Sequence, residues 1–122
     1  FWYAVRHAHP LTVGLNCSFG ATQLRPHVQA LSPIADALLM VYPNAGLPND
    51  LGEYDEAPPT TGGLIADWAG QGLINVVGGC CGTTPRHIAA MAEAVADAAP
   101  RRLPALVPMT RLTGLDPMII AA

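Results

Sequence analysis

The stretch LINVVGGCCGTTP, residues 73–85, contains one strand, one turn and one helix start in direct succession. Residues 73–77 form a short apolar run typical of a buried strand, and Thr84-Pro85 is a favoured N-terminal pair for a helix. We predict that this helix continues to about Ala98. Between the strand and the helix lie three glycines and two adjacent cysteines, so the turn carries groups that a plain connection does not need.

Two earlier segments repeat this order. Residues 11–15 are predicted as the first strand, followed by a helix with Thr22 as N-cap. Residues 37–42 are the second strand, and after a long loop a helix is predicted over residues 61–71. Three successive strand-helix units indicate parallel strands joined by right-handed crossovers, so the predicted fold class is α/β.

The three units are expected to be part of a larger domain. A three-stranded parallel sheet this apolar has two open edges, so we expect further strands beside it. Residues 1–9 look like the end of a helix. Residues 1–99 are therefore interpreted as the C-terminal part of a larger α/β domain. Residues 100–122 have no convincing period and are interpreted as a linker to another module, although a tail that follows the surface fits their composition equally well.

Composition excludes several classes of function. The net charge is -3, and the six basic residues are all arginines without a cluster, so nothing predicts binding to a nucleic acid. The sequence is 51% apolar, which is typical of a chain with a packed core. No run has the length of a membrane span, and the start does not resemble a signal peptide. We expect a cytoplasmic protein.

The three cysteines are predicted to converge in space. Cys17 follows the first strand, Cys80 and Cys81 follow the third, and Asn44 follows the second. The carboxyl ends of parallel strands share one edge of a sheet, where the active sites of α/β proteins lie. An odd number of cysteines and a strained vicinal pair argue against a disulfide framework. The alternative is that all three are small buried apolar residues.

Three thiolates without a fourth match the ligand count of a catalytic zinc site with one open position. Such a site is a weak Lewis acid toward water and suits activation of a substrate thiol for alkyl transfer. Gly78 and Gly79 would allow close approach of the backbone to the metal. The helix that begins at Thr84 would favour the thiolate forms of the nearby cysteines.

Other polar residues are weaker candidates. Histidines at four positions lie on predicted helices or at the opposite edge of the sheet, and four acidic residues of the long loop are interpreted as a solvated face. The histidines are His7, His9, His27 and His87, and the acidic residues are Asp50, Glu53, Asp55 and Glu56.

Four motifs carry a resemblance to a known family. They are VGLNC at 13–17, YPNAGLPN at 42–49, GEYD at 52–55 and GGCCGTTPRHI at 78–88. Together they resemble the homocysteine-binding domain of cobalamin-dependent methionine synthases, and the similarity extends over residues 1–99.

The resemblance implies a (β/α)8 TIM barrel, of which this chain would hold the sixth to eighth strands. It implies Cys17, Cys80 and Cys81 as zinc ligands and Asn44 as an exchangeable fourth ligand. The groups that bind the amino and carboxylate ends of homocysteine are expected mostly in the five other units. Activity of these 122 residues alone is therefore not expected.

The activity implied is a methyltransferase reaction in which the zinc-activated homocysteine thiol takes a methyl group from methylcobalamin and forms methionine. Cobalamin and methyltetrahydrofolate would be bound by other modules, and RLTGLDP at 111–117 resembles the segment that leads into the folate-binding module. Two alternatives remain open. They are a cobalamin-independent homocysteine S-methyltransferase and a non-catalytic half-barrel that docks with its other half.

Overall fold

A computed structural model describes residues 1–121. Its helices and strands are, in chain order, α1 (Trp2–Val5), a 3-10 turn (Arg6–Ala8), β1 (Thr12–Gly20), α2 (Ala21–Leu31), β2 (Leu38–Asn44), α3 (Pro58–Gly70), β3 (Val76–Val77), α4 (Pro85–Val95), β4 (Thr110–Leu112) and β5 (Met118–Ile120). None of the helices described is long and apolar enough to cross a membrane.

Strands β1, β2 and β3 form a parallel sheet in that order, which confirms the α/β class and the parallel arrangement. Leu39 and Val41 of β2 are fully buried, while their neighbours along the strand are only partly covered. Strand β3 is shorter than predicted. The side-chain oxygen of Asn75 accepts the Leu39 backbone N–H at 2.9 Å, which replaces a ladder bond between carbonyl and amide at the start of the strand.

The helices cover one face of the sheet and form the core with it. Ile65 and Trp68 of α3, Leu24 and Val28 of α2 and Met91 of α4 are all buried, as their helical spacing predicts. Trp68 is 1% exposed and is among the largest fully buried side chains of the described residues.

Three helix boundaries differ from the prediction. Helix α2 begins at Ala21, and its N-cap is Gly20 rather than Thr22. Helix α3 begins at Pro58, three residues before the predicted start, because the paired prolines occupy first-turn positions where a missing N–H costs nothing. Helix α4 ends at Val95 instead of Ala98.

The segment after Ala99 has no convincing period in its sequence, yet it contains two short strands. Strands β4 and β5 pair antiparallel in a short hairpin, with Arg111 opposite Ile119. Strands of three residues are too short for an alternating pattern to be recognised in the sequence.

Arg101, directly after this boundary, is 4% exposed and anchors the segment to the amino edge of the sheet. Its guanidinium donates to five neutral oxygens: Ser32 Oγ, Asn75 Oδ1 and the carbonyls of Ser32, Ala35 and Ala37. Burial lowers the pKa of Arg101, and these acceptors stabilise its charge in place of water.

Candidate metal centre

The end of β1 is irregular, and this irregularity positions the first thiol. The strand was predicted to end at Leu15 but runs to Gly20, so Cys17 lies within it rather than after it. The pairing with β2 is interrupted between Asn16 and Gly20. Cys17 and Ser18 have φ of 60° and 64°, a left-handed conformation that costs a non-glycine residue about 1–2 kcal/mol. Strain of this kind is concentrated at functional sites.

The turn with Cys80 and Cys81 is fastened to the end of β2 by three hydrogen bonds. The Cys80 N–H donates to the Pro43 carbonyl at 2.9 Å, and the Cys81 carbonyl accepts from the Ala45 N–H at 2.9 Å. The Cys81 N–H donates to the side-chain oxygen of Asn44 at 3.0 Å. The ends of β2 and β3 therefore fix the position of both thiols before any ligand binds.

The Sγ atoms of Cys17, Cys80 and Cys81, called the thiol cluster below, all lie within 4.8 Å of one another. Among the described residues, this is the group of histidine, cysteine or acidic side chains that could hold a metal ion. The Cys17 and Cys81 sulfurs are 3.6 Å apart, although 64 positions separate them in the sequence. Two sulfurs on one tetrahedral zinc are about 3.8 Å apart, given bonds of about 2.3 Å. The thiol cluster therefore fits a zinc ion.

The thiols differ in acidity. The pKa of Cys17 is lowered, first by the backbone N–H of Ser18 and then by hydrogen bonds with the other two thiols. The pKa of Cys80 is raised, first by its hydrogen bond with Cys17 and then by desolvation. The two pKa values therefore shift in opposite directions, because a negative charge at Cys17 opposes ionisation of Cys80.

Asn44 lies against the thiol cluster. It is 2% exposed, its oxygen accepts the Cys81 N–H, and its side chain also helps to lower the pKa of Cys17. The side-chain amide of Asn44 therefore interacts with Cys17 of β1 and with Cys81, which follows β3.

Neighbouring side chains leave no room for a Cβ atom at the glycines of the turn. A Cβ atom on Gly78 would lie 2.8 Å from the Tyr42 ring, and one on Gly79 would lie 2.2 Å from the Thr83 hydroxyl oxygen. Gly82 has φ of +77°, and its Cβ position is 2.3 Å from the Cβ of Tyr54. Each of these side chains packs onto bare backbone, which explains why the turn is so rich in glycine.

Tyr54 is a site residue that spacing and composition did not predict. Its pKa is raised, first by desolvation and then by the neighbouring Cys81. It belongs to the long loop, residues 45–57, which we call the covering loop. The GEYD motif contains Tyr54, but no periodicity or ligand type singles this residue out.

The weaker candidates are distributed as follows. His7, His9 and His27 are exposed and lie outside the thiol cluster. Asp50, Glu53 and Asp55 are exposed, which confirms the solvated face. The interpretation is wrong for Glu56, which is half-buried because its carboxylate accepts the Thr61 hydroxyl at 2.6 Å.

His87 was expected to lie away from the strand ends, and it is not in the thiol cluster. It is, however, only 5% exposed and hydrogen-bonded on both ring nitrogens. Nδ1 accepts the Thr84 N–H at 3.2 Å, and Nε2 lies 2.7 Å from the Glu56 carbonyl.

A comparison with protein families agrees with this geometry. Residues 1–95 match the family model described as homocysteine S-methyltransferase. The matched region contains β1 to β3 and α1 to α4, and with them all three thiols and Asn44. Methyl transfer to homocysteine is the activity of the matching family. The chain therefore belongs to the homocysteine S-methyltransferase family.

Proposed function

We propose that the thiol cluster binds zinc and activates the thiol of homocysteine for methyl transfer. The observation that carries the proposal is the convergence of three sulfurs within 4.8 Å at the carboxyl edge of a parallel sheet. The family supports the substrate, because homocysteine is the methyl acceptor in its name. The ligand count supports the chemistry, since three protein ligands leave one tetrahedral position for a substrate sulfur.

Bound zinc would lower the pKa of the substrate thiol and hold it as a thiolate at neutral pH. The residues of this chain supply the rest of the chemistry. The lowered pKa of Cys17 favours its thiolate form, and the hydrogen bonds that join the vicinal cysteines to Pro43, Asn44 and Ala45 hold the other two sulfurs in place. A preorganised site of this kind binds its metal without rearrangement of the backbone.

Asn44 is proposed as the exchangeable fourth ligand. Its oxygen has two lone pairs, of which the Cys81 N–H uses one. The second remains for a metal ion in the absence of substrate. A neutral amide oxygen is a weaker ligand for zinc than a thiolate, so homocysteine would displace it.

The three strand-helix units are proposed to be the sixth to eighth of a (β/α)8 barrel, within residues 1–99. The parallel order β1-β2-β3 and the position of the thiol cluster at the carboxyl edge support this. Other units would then bind the amino and carboxylate groups of homocysteine. Residues 100–122 would lead toward a folate-binding module.

Replacement of Cys80 by Ala tests the metal site. In the complete natural chain, we expect zinc content to fall from one equivalent to nearly none, and homocysteine-dependent methyl transfer to fall at least about a thousandfold. Glu93→Gln, on the exposed face of α4, is the matched control and should leave both unchanged. A Cys80→Ala protein that keeps zinc and rate would overturn the proposal.

The methyl donor is tested separately. We propose methylcobalamin, in which case the products are methionine and cob(I)alamin. The same protein is assayed with methylcobalamin, S-methylmethionine and betaine as donors. Methionine formed only from the last two would identify a cobalamin-independent enzyme, and zinc binding without transfer from any donor would identify a non-catalytic half-barrel.

A further inference from the structure

Each end of the covering loop is attached to the protein beside the thiol cluster. At its start, the Ala45 N–H donates to the Cys81 carbonyl. At its end, Glu56 packs against the backbone of Gly46, where an added Cβ would lie 3.1 Å from the Cβ of Glu56. The carboxylate of Glu56 also accepts the Thr61 hydroxyl, at the beginning of α3.

The tip of the covering loop has its own internal order. The side-chain oxygen of Asn49 accepts the N–H groups of Leu51 and Glu53 at 2.9 Å each, and its amide donates to Asp55. Pro48 and Tyr54 form an antiparallel bridge across the tip. The tip is therefore a small rigid unit, and its position depends on how its ends are attached.

Tyr54 is the part of this unit that reaches the site. Its Cβ and the adjoining ring carbons lie over Gly82, in the space that a side chain there would fill, and Gly82 directly follows Cys81. Only Asp55 separates Tyr54 from Glu56. An attachment at Glu56 therefore controls where Tyr54 sits.

His87 supplies that attachment. The carbonyl of Glu56 can only accept, so Nε2 of His87 carries the proton and donates it at 2.7 Å. Nδ1 is then the acceptor for the Thr84 N–H and hydroxyl, at 3.2 Å and 2.8 Å. The ring is 5% exposed and bridges the start of α4 to the end of the covering loop.

We propose that His87 is a positioning residue for the thiol cluster, because its bond to Glu56 holds Tyr54 and the covering loop against the turn with Cys80 and Cys81. The effect that we expect on the KM for homocysteine rests on the proposed function. The two ring nitrogens have separate tasks. Nδ1 caps α4, whereas Nε2 positions the covering loop.

Two substitutions separate these tasks. His87→Asn places an amide near the position of Nδ1, so it keeps the helix cap and loses the bond to Glu56. His87→Gln places an amide nitrogen near Nε2, so it keeps the bond to Glu56 and loses the cap. Met91→Ala is the control for general loss of stability, because Met91 is buried in the same helix and is 2% exposed.

The first measurement is amide hydrogen exchange of residues 46–57 in the complete natural chain, without zinc or substrate. Loss of one such hydrogen bond should accelerate exchange of the covering loop about tenfold in His87→Asn, while His87→Gln and Met91→Ala stay within about threefold of the natural protein. Equal exchange in the Asn and Gln variants would overturn the proposal, whatever the outcome for zinc.

The second measurement is the kinetic effect. We expect His87→Asn to raise the KM for homocysteine about tenfold with kcat changed less than about twofold, and His87→Gln to restore the natural KM. Zinc content should stay at one equivalent in every variant, because no ligand is changed. A natural protein without zinc or transfer would refute the proposed function, whereas normal zinc with the same KM in both variants would refute the role of His87.

Discussion

The two edges of the sheet are built on opposite principles. At the amino edge, Arg101 is 4% exposed and its guanidinium is saturated by five neutral oxygens. At the carboxyl edge, the thiols of Cys17 and Cys80 are only partly buried and that of Cys81 is exposed. The backbone at Cys17 and Ser18 is left-handed there. One edge satisfies its polar groups within the protein, and the other leaves them available.

This difference shows where stability and chemistry are located. At the amino edge, the buried guanidinium of Arg101 holds the segments before the strands in place through its hydrogen bonds. Its removal would leave several carbonyls without a hydrogen-bond donor. At the carboxyl edge, the backbone is strained at the place where the three sulfurs converge. The same division between a stabilising and a reactive edge is a property of barrels built from parallel strands.

The largest expected effect on folding is at Arg101. Arg101→Ala would leave the carbonyls of Ser32, Ala35 and Ala37 without their donor, and we expect a loss of about 3–5 kcal/mol in the free energy of unfolding. Chemical denaturation measures it. Arg102→Ala is the control, because Arg102 is exposed and should cost less than about 0.5 kcal/mol. Equal effects at both positions would remove the contrast between the edges.

An intermediate effect is expected at Gly82, on the reactive edge. Gly82→Ala forces a side chain into φ of +77° and into contact with Tyr54, so we expect a loss of about 1–3 kcal/mol in stability together with weaker zinc binding. Gly52→Ala is matched to it, since Gly52 has φ of +78° and nothing within 4 Å of its Cβ position. The difference between the two variants measures the Tyr54 contact alone. If both lose the same stability and bind zinc normally, Tyr54 does not press on the turn.

The smallest effect is expected at Asp36, an ion-pair partner on the stabilising edge. Arg6 donates two hydrogen bonds to its carboxylate, at 2.9 Å and 2.7 Å, and lowers the pKa of Asp36. A lowered folded-state pKa stabilises the protein above the ordinary range near pH 4, and this contribution is lost as the pH falls through the folded-state value.

Asp36→Asn should therefore cost less than about 1 kcal/mol at pH 7, because both side chains are about one-third exposed and solvent screens the pair. Thermal unfolding at pH 7 and at about pH 2 measures the difference, which should be smaller at the lower pH. A cost that is independent of pH would show that packing, rather than charge, is what Asp36 contributes.

The sequence predicted the broad features for clear reasons. Apolar runs followed by helical patterns indicated parallel strands, and the order β1-β2-β3 confirms them. Cys17 and Cys80 follow strand runs, so their convergence could be expected from topology alone. The hairpin of the last residues and the early start of α3 were not predicted, because three-residue strands have no period and the two prolines resembled the end of the loop.

Tyr54 and His87 illustrate a different limit. Neither has a spacing that relates it to the thiols, because Tyr54 and the Glu56 carbonyl that His87 contacts both lie in the covering loop and reach these positions only when the loop folds back. The short segment GEYD marks Tyr54 by resemblance, but its contact with Gly82 depends on the path of the covering loop.

The sequence by itself determined the kind of chemistry, because the number of thiols and their places at strand ends follow from residue identity and from the geometry of parallel strands. Only the tertiary structure decided how the thiols are held. The 3.6 Å between Cys17 and Cys81, the amide of Asn44 between them and the bond from His87 to Glu56 join residues from separate units. Such distances depend on the packing of the whole fold, and no local pattern encodes them.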